Sequence, residues 1–567
     1  MIFELTVKKV IIFIVVIVAA VGIGVGLYFG LREEPVELKG GAVVANGAEC
    51  AQIGVNILKK HGSAVDAAIA TLFCEGVTCP QSMGLGGGFV ATIYTKSDGK
   101  VESLTARETA PKAATVDMYV NQTVTGALAI AVPGELKGYW EMHQKYGKLP
   151  WATLIDPTIE LCRRGHVVTG YLARILERSN ELIRTTPSLA AVFLNPATGH
   201  VWQENDLIRR IALAETLQTI ADEGVSTLYN NGTIAQKLIP EITAYGGILT
   251  TEDLMEYKVR WEEPEASTII HNYTMYTNPL PATGLLITFM LNILNGFEPS
   301  TPSVNSLHRI AETFKFAYAE RTELGDAAFV DGMAERVHKI KDSAFAESVR
   351  PKINDQQTVS DYKYYGAEFA IEEDHGTAHI NVIAPNGDAV SVTSTINNLL
   401  GSKIRSTTTG IIMNDEMDDF GTPGKSNSYG VPPSPANFIV PGKRPLSSMC
   451  PVIILDEHGD VRLLIGGAGG IKITSSVAYT ILRHLYWNET LTDAINAKRI
   501  HHQLLPMRLE YDAGLDAALQ AGLIAKGHVM YQSPSDSGFA SLTGISRIGD
   551  EIDAVYDIRR VGSAVVF

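Results

Sequence analysis

Residues 375–404 read HGTAHINVIAPNGDAVSVTSTINNLLGSKI, and two runs of alternating and β-branched residues within this stretch decide the fold. Residues 377–384 (TAHINVIA) and 389–395 (AVSVTST) flank Pro385-Asn386-Gly387-Asp388. An Asn-Gly pair between two such runs predicts a β-hairpin, because both turn residues tolerate positive φ. The first strand starts at a Gly-Thr pair. A threonine hydroxyl is a weak nucleophile at neutral pH, but its own α-amine becomes an adjacent base once the preceding peptide bond is cut. Gly376 suits such a cut. Lacking a Cβ, it lets the backbone take unusual dihedrals and lets Thr377 Oγ approach the preceding carbonyl. Taken alone, a His-Gly-Thr triplet is an ordinary strand start, since threonine is common in strands. Its meaning therefore depends on what surrounds it.

Downstream, a Gly-, Pro- and Ser-rich loop spans 421–443 and is expected at the surface as a cover. Its Gly424-Lys425-Ser426 imitates the end of a phosphate-binding loop, but Asp419 stands where that motif needs glycine. Residues 452–455 and 461–465 form another strand pair, followed by GGAGG at 466–470 and a helical segment over 473–485. Upstream, residues 48–60 read as a helix stopped by His61-Gly62, and Ser63 as the N-cap of the next. Ala64, Val65, Ala68, Ile69 and Leu72 share one face of that second helix. The GLGGG block at 84–88 lacks the G-x-G-x-x-G order and precedes a hairpin-like run turning at Ser97-Asp98-Gly99, so it indicates close backbone packing rather than a dinucleotide site. From Pro133 to Ser360 helical segments dominate, including 135–146 and 207–222.

The 567 residues are 46% hydrophobic and 19% charged, with a formal net charge of −15, a globular composition. No basic run is interleaved with aromatics, which excludes an electrostatic nucleic-acid footprint. Five cysteines (Cys50, Cys74, Cys79, Cys162, Cys450) make no disulfide framework, and their odd number leaves at least one outside any internal bridge. There is no C-x-x-C, H-E-x-x-H or G-x-S-x-G, and His501-His502 has no partner at ligand spacing, so no metal is expected. Residues 10–31 carry no charge between Lys9 and Arg32 and are long enough to cross a membrane as a helix. The stretch is longer than the apolar core of a cleaved signal peptide, so an uncleaved signal anchor is expected. Lys8 and Lys9 before it, against Glu33 and Glu34 after it, place residues 1–9 in the cytosol and the remainder outside. Sequons at Asn121, Asn231, Asn272 and Asn488 all fall on that outer side.

The 375–404 block, TARETAP at 105–111, NDEMDDF at 414–420, PLSSMCP at 445–451 and GGAGG at 466–470 closely resemble, in order and along nearly the whole chain, the γ-glutamyltransferase family. The resemblance implies an α+β, N-terminal-nucleophile αββα sandwich behind one transmembrane helix. It implies a proenzyme cut between Gly376 and Thr377 into a large subunit (33–376) and a small catalytic one (377–567) that stay together as a heterodimer. In this reading Thr377 attacks the γ-glutamyl amide of glutathione or its conjugates, and water or an amino-acid or dipeptide acceptor resolves the acyl-enzyme. Gly469 and Gly470 would supply the oxyanion hole, and Thr395 would orient Thr377. Arg107, aided by Ser447 and Ser448, would clamp the substrate α-carboxylate, while Asn397, Glu416 and Asp419 hold its ammonium. No cofactor is needed. The enzyme would be a single-pass type II plasma-membrane protein facing outward. Cys50 and Cys74 match positions able to pair in relatives; a second pair expected near Phe193 is missing. Leu399 takes the place of a tyrosine that covers the acyl site in relatives. Two alternatives remain: another N-terminal-nucleophile amidase, such as a cephalosporin acylase or asparaginase, and a catalytically silent membrane ectodomain. The carboxylate clamp argues against the first, and the intact Gly376-Thr377 pair and acidic residues against the second.

Overall fold

The hairpin forms as its Asn-Gly turn predicts. Ala378–Ile383 pairs antiparallel with Ala389–Thr395, with Ile383 opposite Ala389 and Gly387 at φ 88°. The computed structural model describes residues 40–297, 301–370, 376–534 and 538–567. The expected cytosolic tail and membrane span lie outside the described residues. Among the described residues no helix is long and apolar enough to cross a membrane.

In chain order the main strands are β1 (Ala42–Ala45), β2 (Gly88–Thr95), β3 (Lys100–Ala106), β4 (Arg260–Glu262), β5 (Glu265–Thr268), β6 (Thr274–Thr277), β7 (Ala378–Ile383) and β8 (Ala389–Thr395). They continue with β9 (Val452–Leu455), β10 (Val461–Ala468), β11 (Ser541–Ile548), β12 (Glu551–Tyr556) and β13 (Ser563–Val566). One sheet has the order β13-β1-β7-β8-β2-β3-β4, and a second has β12-β11-β10-β9-β6-β5.

Side chains alternate across a strand, so each sheet buries two apolar faces. Val43, Ala45, Ile380, Val382, Val390 and Val392 join a core on the helix side of the first sheet. Ala42, Val44, Ile383 and Ala389 point the other way and meet Ile453, Leu455, Leu464 and Ile545 of the second sheet. Val452, Ile454, Leu463 and Ile465 in turn face the second helical layer. Each buried valine, leucine or isoleucine among them contributes about 1.5–3 kcal/mol, enough to fix strand register, since a one-residue slip would exchange the faces.

Helices α1 (Cys50–Lys59), α2 (Ala64–Thr78) and α3 (Glu135–Tyr146) cover the first sheet. Ser63 caps α2 as expected, accepting the Asp66 N–H while the Asp66 carboxylate accepts the Ser63 N–H, both at 2.9 Å, a cap worth about 1 kcal/mol. A Cys50–Cys74 disulfide joins α1 to α2; Cys79, Cys162 and Cys450 are buried outside it. On the opposite side lie α4 (Leu285–Leu294), α5 (Val304–Arg321), α6 (Lys472–Ile481) and α7 (Ala517–Ala525). The layers are therefore helix, sheet, sheet, helix.

The 207–222 segment departs from the sequence reading. Leu207–Ile208 pairs as a short strand with His166–Val167, and the helix runs only over Ile211–Glu223. The cause is Arg210 at the junction, buried and donating to the carbonyls of Gly76 (3.2 Å), Val77 (3.4 Å) and Gly410 (3.1 Å). The GLGGG block does pack backbone on backbone: a Cβ at Gly87 would stand 2.1 Å from the Thr395 carbonyl oxygen. All four sequon asparagines are exposed.

Candidate active site

Thr377 stands one residue before β7, buried and at φ 116°, a conformation β-branched residues rarely take. The residue before it is fixed as firmly. The Gly376 N–H donates to the Asn397 carbonyl at 2.7 Å, and a Cβ at 376 would lie 1.9 Å from that same oxygen. Only glycine fits. On the other side, the Arg560 guanidinium donates to the Thr377 carbonyl at 3.5 Å.

The hairpin register, Ala378 opposite Ser394, brings Thr377 to the end of the sheet where Thr395 stands. The Thr395 hydroxyl accepts the Asn397 N–H at 2.9 Å, supporting Asn397 in the left-handed region at φ 67°, which asparagine tolerates. Asn397 Nδ2 donates to the Asp415 carbonyl at 3.2 Å. Its Oδ1 is buried without a hydrogen-bond partner.

Arg107 follows β3 directly and is fully buried. Its carbonyl accepts from the Tyr257 hydroxyl (2.9 Å) and Arg444 Nε (3.2 Å), and its Nε donates to the Pro445 carbonyl at 3.3 Å. Its two terminal nitrogens meet Glu416 and Asp419, with Glu108 Oε2 3.7 Å away. These two carboxylates share a 3₁₀ turn, Glu416–Asp419, whose three-residue repeat aligns positions i and i+3. Asn414 holds that turn in place, donating to the carbonyls of Gly86 (2.7 Å) and Ala131 (3.0 Å) and accepting the Glu416 N–H at 3.0 Å.

The residues expected to hold a carboxylate and an ammonium are thus in direct contact with each other. Burial alone would lower the Arg107 pKa, but Glu416, Asp419 and Glu108 outweigh it and raise it. The guanidinium stays charged. Burial pushes Glu108 up to about 8 against the pull of Arg107, so it holds its proton near neutrality. Glu416 Oε2, like Asn397 Oδ1, is buried with no partner. Both Glu108 carboxyl oxygens are likewise without a hydrogen-bond partner, and burial pushes the Glu416 carboxyl well above the usual carboxylate range against the pull of Arg107. Unmade bonds of this kind cost about 1–3 kcal/mol each.

Ser447 and Ser448 differ in their surroundings. Ser447 Oγ accepts the Met449 N–H at 3.2 Å, whereas Ser448 Oγ accepts from Arg321 at 3.1 Å. Beyond β10 the chain turns through Gly469 at φ 140° and Gly470 at φ 62°; a Cβ on Gly469 would sit 2.6 Å from Ala540 Cα. The turn leads into α6, whose first turn leaves N–H groups without helical partners. The Tyr318 hydroxyl donates to the Ile471 carbonyl just beyond. Gly469 also lines an open cleft of about 850 Å³ together with Leu399, Lys403, Asp418, Arg559 and Arg560.

Three residues of this site escape a reading of the sequence. Glu108 is the residue after Arg107, and nothing in TARETAP marks it as buried. Arg321 ends α5, where a basic residue reads as a partner for the helix dipole. Arg560 lies in the C-terminal segment, remote from every motif. His501 and His502, read as having no ligand partners, have ordinary hydrogen bonds: His501 with Ser475 Oγ (2.7 Å) and Gln503 Oε1 (3.1 Å), and His502 with the Leu504 N–H (3.1 Å).

The sequence profile of the Gamma-glutamyltranspeptidase family matches residues 50–567. Scoloptoxin SSD14 of Scolopendra dehaani is 43% identical over 92% of this chain and 91% of its own. Glutathione hydrolase 5 proenzyme of Mus musculus is 37% identical over 92% of both. The crystal structure of a cephalosporin acylase from Bacillus halodurans superposes with a TM-score of 0.81 at 22% identity, covering 94% of this chain and 97% of that one, and so shares the fold.

Proposed function

The chain belongs to the gamma-glutamyltranspeptidase family, and from that premise we propose that it is a glutathione hydrolase and γ-glutamyltransferase, made as a proenzyme that cuts itself between Gly376 and Thr377. The carrying observation is the buried Arg107 cluster. A guanidinium faces two carboxylates while Asn397 Oδ1 and Glu416 Oε2 lack donors. A γ-glutamyl group brings an α-carboxylate for Arg107 and an α-ammonium for those acceptors, exchanging an internal ion pair for two charge-assisted sets of bonds. Ser447 and Ser448 assist at the carboxylate.

With its α-amine freed, Thr377 gives its hydroxyl proton to that amine as Oγ attacks the γ-glutamyl carbonyl. The Gly469 and Gly470 N–H groups receive the oxyanion, about 2.7–4 kcal/mol per donor in comparable sites. The amine returns the proton to the departing amino group, leaving an ester on Thr377. Water or an acceptor amine then attacks this ester and regenerates the hydroxyl. Thr395 acts indirectly, by holding Asn397. Leu399 in the cleft wall leaves the acyl site more open than a tyrosine would.

Residues 33–376 and 377–567 would be the two subunits, with 10–31 anchoring the protein in the plasma membrane and the catalytic part outside. The exposed asparagines 121, 231, 272 and 488 are then available for glycosylation. The test is direct: wild type should run as two chains and release a chromophore from a γ-glutamyl anilide, while Thr377→Ala stays single and inert. An uncut, inactive wild type would indicate a silent ectodomain instead.

A further inference from the structure

We propose a second site, for one divalent transition-metal ion, formed by His308, Glu312 and His528 in the molecule's second helical layer. His308 and Glu312 are four residues apart on α5 and therefore share one helix face. His528 follows α7 across the Gly527 turn. One ligand atom from each lies within 4.8 Å of the others, and all three residues are buried. Ligands around a tetrahedral zinc ion at about 2.0–2.1 Å stand roughly 3.3–3.4 Å apart, so an entering ion has only to spread the two histidine nitrogens, 2.8 Å apart, by about 0.5 Å.

The surroundings prepare these atoms for coordination. His308 Nε2 lies 2.9 Å from the Asn354 carbonyl, which assigns the proton to that nitrogen and leaves Nδ1 to accept from His528 Nε2–H, 2.8 Å away; an ion bound there replaces that proton, which moves to His528 Nδ1. A carbonyl on the outer ring nitrogen is the support commonly given to a metal-bound imidazole. Glu312 accepts from the Thr358 hydroxyl at 2.6 Å and the Tyr365 hydroxyl at 2.8 Å. Its counter-cation is Lys315, at 2.8 Å and equally buried. An incoming ion would compete with Lys315, which retains the Tyr365 hydroxyl at 3.1 Å as an acceptor. Two imidazoles and a carboxylate suit Zn²⁺ better than Ca²⁺ or Mg²⁺. The sequence conceals this set because its histidines are 220 positions apart. At its other end α5 carries Tyr318 and Arg321, which support Ile471 and Ser448, so the ion would brace a helix on which the glutamyl site leans.

The experiment strips the mature protein with chelator, adds Zn²⁺ or Co²⁺ alone, desalts, and measures bound metal and the cobalt visible spectrum. Wild type should retain one equivalent. His308→Gln and His528→Gln should each weaken binding by at least about tenfold, and Lys315→Met should tighten it by a similar factor, because Glu312 loses its internal cation. Absence of stoichiometric metal in both wild type and Lys315→Met overturns the proposal, as does undiminished binding in both histidine variants. If the histidine variants fail to fold, the Lys315→Met comparison still decides: equal affinity to wild type overturns it.

Discussion

Replacing Gly376 with alanine should slow maturation sharply without unfolding the precursor. The added Cβ would stand 1.9 Å from the Asn397 carbonyl oxygen, against the 3.4 Å of ordinary contact, so one of the two must move by about 1.5 Å. Asn397 resists: its N–H is held by the Thr395 hydroxyl and its Nδ2 by the Asp415 carbonyl. The displacement therefore falls on residue 376, whose carbonyl carbon is the atom that Thr377 Oγ must reach. A misplacement of about 1 Å costs on the order of 10²-fold in rate, equivalent to about 2.7 kcal/mol on the barrier. Pulse-labelled Gly376→Ala precursor, followed on a denaturing gel, should convert at least about a hundredfold more slowly than wild type, while its thermal melt stays cooperative. Conversion within a few-fold of the wild-type rate would refute the steric reasoning.

Arg107→Lys keeps a charge but loses the fork that spans Glu416 and Asp419. KM for a γ-glutamyl substrate should rise by about two orders of magnitude in a protein that still folds and is cut; a KM within threefold of wild type would count against the clamp. Glu135, hydrogen-bonded by Ser394 and Tyr139, is raised by burial from 4.5 to about 8. Between those values the native state holds a proton that the unfolded chain has lost, so this group's stabilising contribution is full below pH 4.5 and is lost as pH rises toward 8. Glu135→Gln should therefore gain stability relative to wild type as denaturation is measured from pH 5 to pH 8. A difference that does not change with pH would remove Glu135 as the titrating group.

Local features of the fold were readable because each is set by neighbouring residues: the Asn386-Gly387 hairpin, the Ser63 cap, and the strand pair 452–455 and 461–465, although the second strand runs on through Gly466 and Gly467 to Ala468. Strand order was not readable. The pairing of Ala42 with Val566 joins opposite ends of the described chain and depends on which faces find apolar partners. Arg107 and Glu416 are 309 positions apart, so only membership in separate family blocks linked them, and even that placed them on opposite sides of a ligand rather than against each other. Arg210 shows the limit of periodicity. A buried arginine reaching three carbonyls redirected a segment whose apolar spacing was helical throughout.

N-terminal sequencing of the purified active protein tests self-cleavage most directly. A chain beginning Thr377-Ala378-His379-Ile380 is predicted beside one ending at Gly376, with activity rising in step with its appearance. Full activity from an uncut chain, or from one whose new N-terminus lies elsewhere, would contradict Thr377 as the nucleophile.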